Sequence, residues 1–193
     1  MKKSTMTILA IVAVAVLWGI SAYNGMIGVQ EEATQAAADV QSAYQRRYDL
    51  IDNLVETVKG YAQHEENTLK EVVEARAKAT SITIDPSNCT PEQLQQYQKA
   101  QGELGSALGK LIAVSENYPD LKANENFLDL QKQLEGTENR INEARNKFNE
   151  KVTTYNRQIR KFPNNIFAGI FGFRTMEKFA ADAEAQKAPK VKF

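Results

Sequence analysis

A chain of 193 residues balances 24 basic against 24 acidic side chains and carries no net charge, which excludes the strongly basic footprint of a nucleic-acid binder. Its one cysteine, Cys89, excludes an internal disulfide and by itself makes neither a metal cluster nor a catalytic dyad.

Behind a short tail of residues 1–5, the first element is an uncharged run from Met6 to Tyr23. Met6, Ile8, Leu9, Val12, Val14, Val16, Leu17, Trp18, Ile20 and Tyr23 make it predominantly apolar. As a helix it covers roughly 27 Å at about 1.5 Å per residue, close to the thickness of a bilayer's hydrocarbon core. A secretory signal begins in the same way. Cleavage after Ala22, however, would put Ile20 where a small residue is wanted, and no cysteine follows for a lipoprotein-type cut. The run is read as an uncleaved single-pass anchor, with Trp18 and Tyr23 suited to the interface. Lys2 and Lys3 precede it, and the next basic residue is Arg46. The positive-inside bias then predicts a cytoplasmic N-terminus and a body beyond the cytoplasmic (inner) membrane, periplasmic in a cell with two membranes.

The body, residues 29–175, is expected to be one helical domain. From Val29 to Ala79 there is no proline, and the only glycine is Gly60. Ala33, Ala36, Val40, Tyr44, Arg47, Ile51, Leu54, Val58, Tyr61, Glu65, Thr68, Val72 and Ala79 recur in four-three steps, the seam of a packed helix about 75 Å long. Gly25 and Gly28 mark the expected joint with the anchor. Residues 81–89 read as a loop. Thr90 and Pro91 then start a second helix to about Asn117, capped by Thr90 with Pro91 in its first turn. Its Gly102, Gly105 and Gly109 are read as a close-packing face.

After a turn at Tyr118–Ala123, Asn124 caps a third helix. Phe127, Leu130, Leu134, Glu138, Ile141, Arg145, Phe148, Val152, Tyr155, Ile159 and Phe162 form its four-three seam. Phe162, Pro163, Ile166, Phe167, Ile170, Phe171 and Phe173 then make the most apolar block outside the anchor, too short to span a bilayer. Residues 176–193 read as a weak helix fading into a disordered tail. The expected fold is all-α: a transmembrane helix followed by an elongated antiparallel up-and-down bundle of three long helices and a short C-terminal one. Counting helix directions (out, back, out) places the apolar block at the distal tip, where it folds over the bundle end, docks on a neighbouring subunit or partner, or touches a second, facing membrane.

Arg46, Arg47, Tyr48, Asp49, Leu50, Asn53, Leu54, Glu56, Lys59, Gly60 and Tyr61, in the stretch running to Ala62, resemble the signature helix of the LemA family. Tyr23-Asn24, the Tyr118–Phe127 stretch, Glu135–Ile141, the apolar block and the terminal Lys190-Val191-Lys192-Phe193 fit the same family. The resemblance implies a bacterial single-pass membrane protein with an antiparallel four-helix bundle. It also implies the opposite orientation, with the short N-terminus outside. Asp52 stands where the family favours proline, so a kink there is expected to be absent or softened.

Little in the sequence points to a reaction. His64-Glu65-Glu66 lacks the second histidine of a zinc helix, position 68 being Thr. Arg46, Arg47, Asp49, Asp52, Glu56 and Lys59 on the first helix and Glu135, Glu138, Arg140, Glu143 and Arg145 on the third, opposed across an antiparallel pair, are expected to form ion pairs that fix register rather than add much stability. No two carboxylates share a pocket suited to acid–base work. No catalytic activity, cofactor, metal or small-molecule substrate is expected. The expected function is a membrane-anchored scaffold or interaction protein of the cell envelope, working with copies of itself or an envelope partner. The alternative is a membrane-remodelling or sensing module that uses the C-terminal apolar block.

Overall fold

The computed structural model describes residues 3–62 and 64–180. Helix α1 (Lys3–Tyr61) runs unbroken from the apolar stretch into the body. Gly25 and Gly28 are therefore not a joint. Each costs about 1 kcal/mol relative to alanine, which the burial of Ala22, Met26 and Ala33 on either side outweighs. Asp52 also lies inside the helix and accepts an ion pair from Arg76 at 2.7 Å.

The expected single helix from Val29 to Ala79 is broken. Ala62 closes the last turn of α1 onto the Val58 carbonyl, Glu65 N donates to the Ala62 carbonyl at 3.1 Å, and α2 (Glu66–Ser81) begins. It folds back along α1, bringing Arg76 to Asp52 and the Ala79 carbonyl to the Tyr48 hydroxyl. The heptad phase survives the break because α2 buries the same positions, Val72 and Ala79, against its neighbours.

After the loop, α3 (Pro91–Val114) opens with a capping box in which Thr90 and Gln93 satisfy each other's backbone amides. It runs outward, antiparallel to α2, with Lys78 pairing Glu103 and Lys110 pairing Glu71. A 3-10 turn (Ser115–Asn117) and α4 (Pro119–Lys122) reverse the chain at the distal end. Asn124 then caps α5 (Glu125–Arg160) by accepting from Phe127 N. Helix α5 descends the part of α1 beyond the apolar stretch in antiparallel register, with Arg46 donating to Gln133 and Arg47, Asp39 and Glu32 facing Glu138, Lys147 and Lys151. Four long helices run out, back, out and back. All described regular structure is helical, and the architecture is all-α, an antiparallel bundle.

The predicted seams form the core. Val40, Ile51, Leu54 and Val58 of α1, Phe148, Val152 and Tyr155 of α5 and Leu104 and Leu111 of α3 belong to one continuous core with almost no exposure, each worth about 1.5–3 kcal/mol. Gly102, Gly105 and Gly109 are not a close-packing face. A Cβ at any of them would meet open space, because Leu104, Ala107, Leu108 and Leu111 occupy the inward positions.

The extra reversal changes where the chain ends. The α5 helix finishes at the anchor end of the bundle, and α6 (Asn164–Phe171) follows it there. The apolar block is therefore not at the distal tip. Gly172, at φ +78°, terminates α6 in the left-handed conformation that glycine adopts without strain, and the amide of Phe173 returns to the Ala168 carbonyl.

Residues 173–180 then climb back as a non-helical strap along α5. The expected weak helix does not begin at residue 176, and its remainder, 181–193, lies outside the described residues. Asn156 and Asn149 each clasp one residue of the strap through both backbone groups, Met176 and Phe179, and Gln98 clasps Ala180. Seven helical residues rise about 10.5 Å, and three extended residues span about 10–11 Å. The seven-residue step from Asn149 to Asn156 thus matches a three-residue step of extended chain. Met176 and Phe179, one step apart, are buried.

Candidate functional site at the base of the bundle

Two places concentrate the residues that the sequence singles out. One lies in the middle of the shaft and the other at its base.

In the shaft, the signature helix α1 splits by face. Arg47, Tyr48, Leu50 and Leu54 are buried, whereas Arg46, Asp49, Asn53, Glu56, Lys59, Gly60 and Tyr61 face outward. Arg47 is 4% exposed. Its guanidinium donates to Glu138 at 3.0 Å and to the Gln101 side chain, and lies 5.2 Å from the Tyr44 ring centroid. Gln101 donates in turn to the Tyr48 hydroxyl, and Tyr44 packs edge-on against Tyr97 at 5.4 Å. Burial pushes the Tyr44 phenol up to about 12, and Tyr97 rises for the same reason. Both phenols are neutral at physiological pH, acting as packing and hydrogen-bonding groups rather than nucleophiles. The cluster ties α1, α3 and α5 together, and Arg47–Glu138 is the ion pair it forms between the two charged stretches.

At the base, the anchor residues from Met6 to Ile20 face outward, with Ile11 64% and Leu17 68% exposed. By length and composition this stretch of α1 can cross a membrane. The apolar block lies against its last turns. Phe167 meets Trp18 edge to face at 5.5 Å and seats on Gly19, where even an added Cβ would lie 3.0 Å from the ring. Tyr23 meets Phe171 at 5.0 Å and Phe173 at 5.7 Å. Ala168 is buried, whereas Phe162, Ile166, Ile170 and Phe171 stay exposed, Phe162 at 75% and Ile170 at 70%. The block covers one side of α1 and presents its own apolar side outward, continuous with the anchor.

Above it sits a group that the sequence reading missed. Arg157 and Arg160 close α5, Lys161 caps it, and Lys178 arrives on the strap. All are exposed around one open hollow that holds a single acidic residue, Glu177. None of the four cations makes an ion pair or side-chain hydrogen bond among the described residues. The signal was legible as basic residues in the last turn of a helix directly before an apolar block, but the chain reversal was needed to bring them to the anchor.

The remaining residues behave modestly. His64 is exposed beside the α1–α2 turn, and Tyr118 donates to Glu65 at 3.1 Å. Cys89 is half-buried, its thiol pushed up by burial and donating to the Pro86 carbonyl at 3.7 Å. Among the described residues no group of three or more His, Cys, Asp or Glu side chains converges as a metal site would require.

The sequence profile of the LemA family matches residues 36–193. The chain is similar to magnetosome protein MamQ of Magnetospirillum gryphiswaldense, 28% identical over 174 residues that make up 81% of this chain and 64% of the relative. Magnetosome protein MamQ 2 of Paramagnetospirillum magneticum matches at the same identity and coverage. Protein LemA of Metamycoplasma hominis is 27% identical over 145 residues, 75% of this chain and 63% of the relative. The chain thus spans a little under two thirds of the length of these relatives.

Proposed function

The chain belongs to the LemA family, and from that premise we propose that it is a non-catalytic scaffold of the cell envelope, anchored in the cytoplasmic membrane by α1. The observation that carries this reading is Phe167 seated on Gly19 beside Trp18. That contact puts α6 at the depth where the apolar run of α1 ends. The bilayer-facing side of α6 then enters the same leaflet, giving the bundle two membrane contacts and holding its shaft upright.

The body stands outside the cytoplasm, as Lys2 and Lys3 favour, and works by assembling with copies of itself or with an envelope protein. Val12, Ala15 and Val16 of α1 and Phe167 and Phe171 of α6 line an apolar hollow, into which side chains of a second transmembrane helix would pack. The membrane-sensing alternative is favoured by one specific observation, the exposure of Ile166, Ile170 and Phe171 beside the anchor.

Two measurements test the proposal. The native mass of the detergent-extracted full chain should exceed that of a monomer or include a co-purifying partner; a bare monomer contradicts the scaffold. Protease added to intact spheroplasts should digest the body, and full protection reverses the orientation.

A further inference from the structure

We propose that the cations at the foot of α5 form a collar that selects anionic lipid headgroups in the leaflet entered by α6. The inference rests on the membrane-seated reading above and names what that seat recognises. Three observations carry it.

The first is depth. Gln158 reaches within 3.8 Å of the position a Cβ would take on Gly25, two residues beyond Tyr23. Arg157, Arg160 and Lys161 are therefore within about one helical turn, 5.4 Å, of the level where the apolar run ends. The headgroup layer on each side of the hydrocarbon is about 5–8 Å deep, so the three side chains end inside it.

The second is charge. Arg157, Arg160, Lys161 and Lys178 share their hollow with one acid, Glu177, and have no carboxylate partner among the described residues. Further up α5, Lys147 and Lys151 are held by Asp39 and Glu32 at 2.8 Å. The third is continuity. Lys161 is followed at once by Phe162, 75% exposed, and by α6 with Ile170 at 70%. Cations above and apolar side chains below match the two layers of a bilayer surface, whereas a soluble phosphate would use only the upper layer. The surface fits an anionic leaflet, with each cation near it favouring anionic lipid about fivefold.

The test uses the full chain in vesicles of phosphatidylcholine and phosphatidylglycerol, with bromine carried on one lipid or the other. Trp18, the only tryptophan, is replaced (Trp18→Phe), and Phe162→Trp places the reporter directly below the collar. Brominated phosphatidylglycerol should quench it more than brominated phosphatidylcholine at matched content, by a ratio above about 3. Arg157→Gln/Arg160→Gln/Lys161→Gln should bring the ratio close to unity, and raised salt should lower it. Arg157→Lys/Arg160→Lys keeps charge and should keep the ratio, which separates charge from folding. Equal quenching by the two lipids with the collar intact overturns the collar and leaves the seated block standing. A ratio that survives the triple substitution also overturns it. No quenching by either lipid removes the membrane seat itself.

Discussion

Beside the α1–α5 seam, Arg47, Lys147 and Lys151 are answered within the chain. Lys147 lowers the carboxyl of Asp39 below its ordinary range, and Glu32 raises the ammonium of Lys151 above its own. Arg47, deep in the core, is held by Glu138, Gln101 and the Tyr44 ring. At the base, Arg157, Arg160, Lys161 and Lys178 have no such answer among the described residues, and the aromatic side chains beneath them are left exposed. The same α1–α5 pair builds both regions, so the difference lies in what surrounds them. The seam keeps its charges paired beside a buried core, whereas the base presents cations and apolar surface in the order a bilayer surface would satisfy.

If that contrast is right, damage to the shaft should be felt in folding. Leu54→Asp puts a charge at a position with no exposure and should cost about 4 kcal/mol or more, lowering the melting transition followed by circular dichroism. An undiminished transition would mean the seam is not the core. Alkaline titration probes the same core more gently. Burial raises Tyr44 from its ordinary 10 to about 12, so the folded state holds that proton more tightly than the unfolded chain. Its contribution is present below pH 10 and is lost as pH rises through about 12, worth about 3 kcal/mol. Tyr44→Phe keeps the ring and should flatten that part of the pH profile.

Damage to the base should leave the shaft intact. Replacing Phe167, Ile170 and Phe171 with serine should move the melting transition by an amount equivalent to less than about 1 kcal/mol while releasing the block from the bilayer. A large loss of stability would make the block part of the core instead. Smallest of all, His64→Ala and Cys89→Ser should stay within about ±0.5 kcal/mol and leave assembly unchanged; a functional defect without unfolding would reopen metal or thiol chemistry.

The anchor, the Thr90 and Asn124 caps and both seams were legible because each is local or periodic, whereas which of the opposed charges pair, Arg47 with Glu138, needed the structure. The turn at Ala62–Glu65 was not. It has no proline, and the four-three spacing runs through it because the second helix buries its positions in the same phase. A trace of it did exist in Tyr61, Glu65 and Thr68, three successive seam positions that are not aliphatic, none of which is buried. That one missed reversal sent the apolar block to the wrong end, since the parity of helix directions decides where a chain finishes. The α3 glycines misled for a simpler reason: small residues mark close packing only on an inward face.

The account stands on the apolar block lying beside the anchor, and a disulfide tests that most directly. In full-length protein carrying Cys89→Ser, Tyr23→Cys and Phe171→Cys replace two rings whose centroids lie 5.0 Å apart. Mild oxidation in membranes should give intramolecular cross-linking, seen as a mobility shift that a reductant reverses, while Tyr61→Cys with Phe171→Cys should give none. A cross-link between positions 61 and 171, with none between 23 and 171, would put the block at the distal tip and contradict the account.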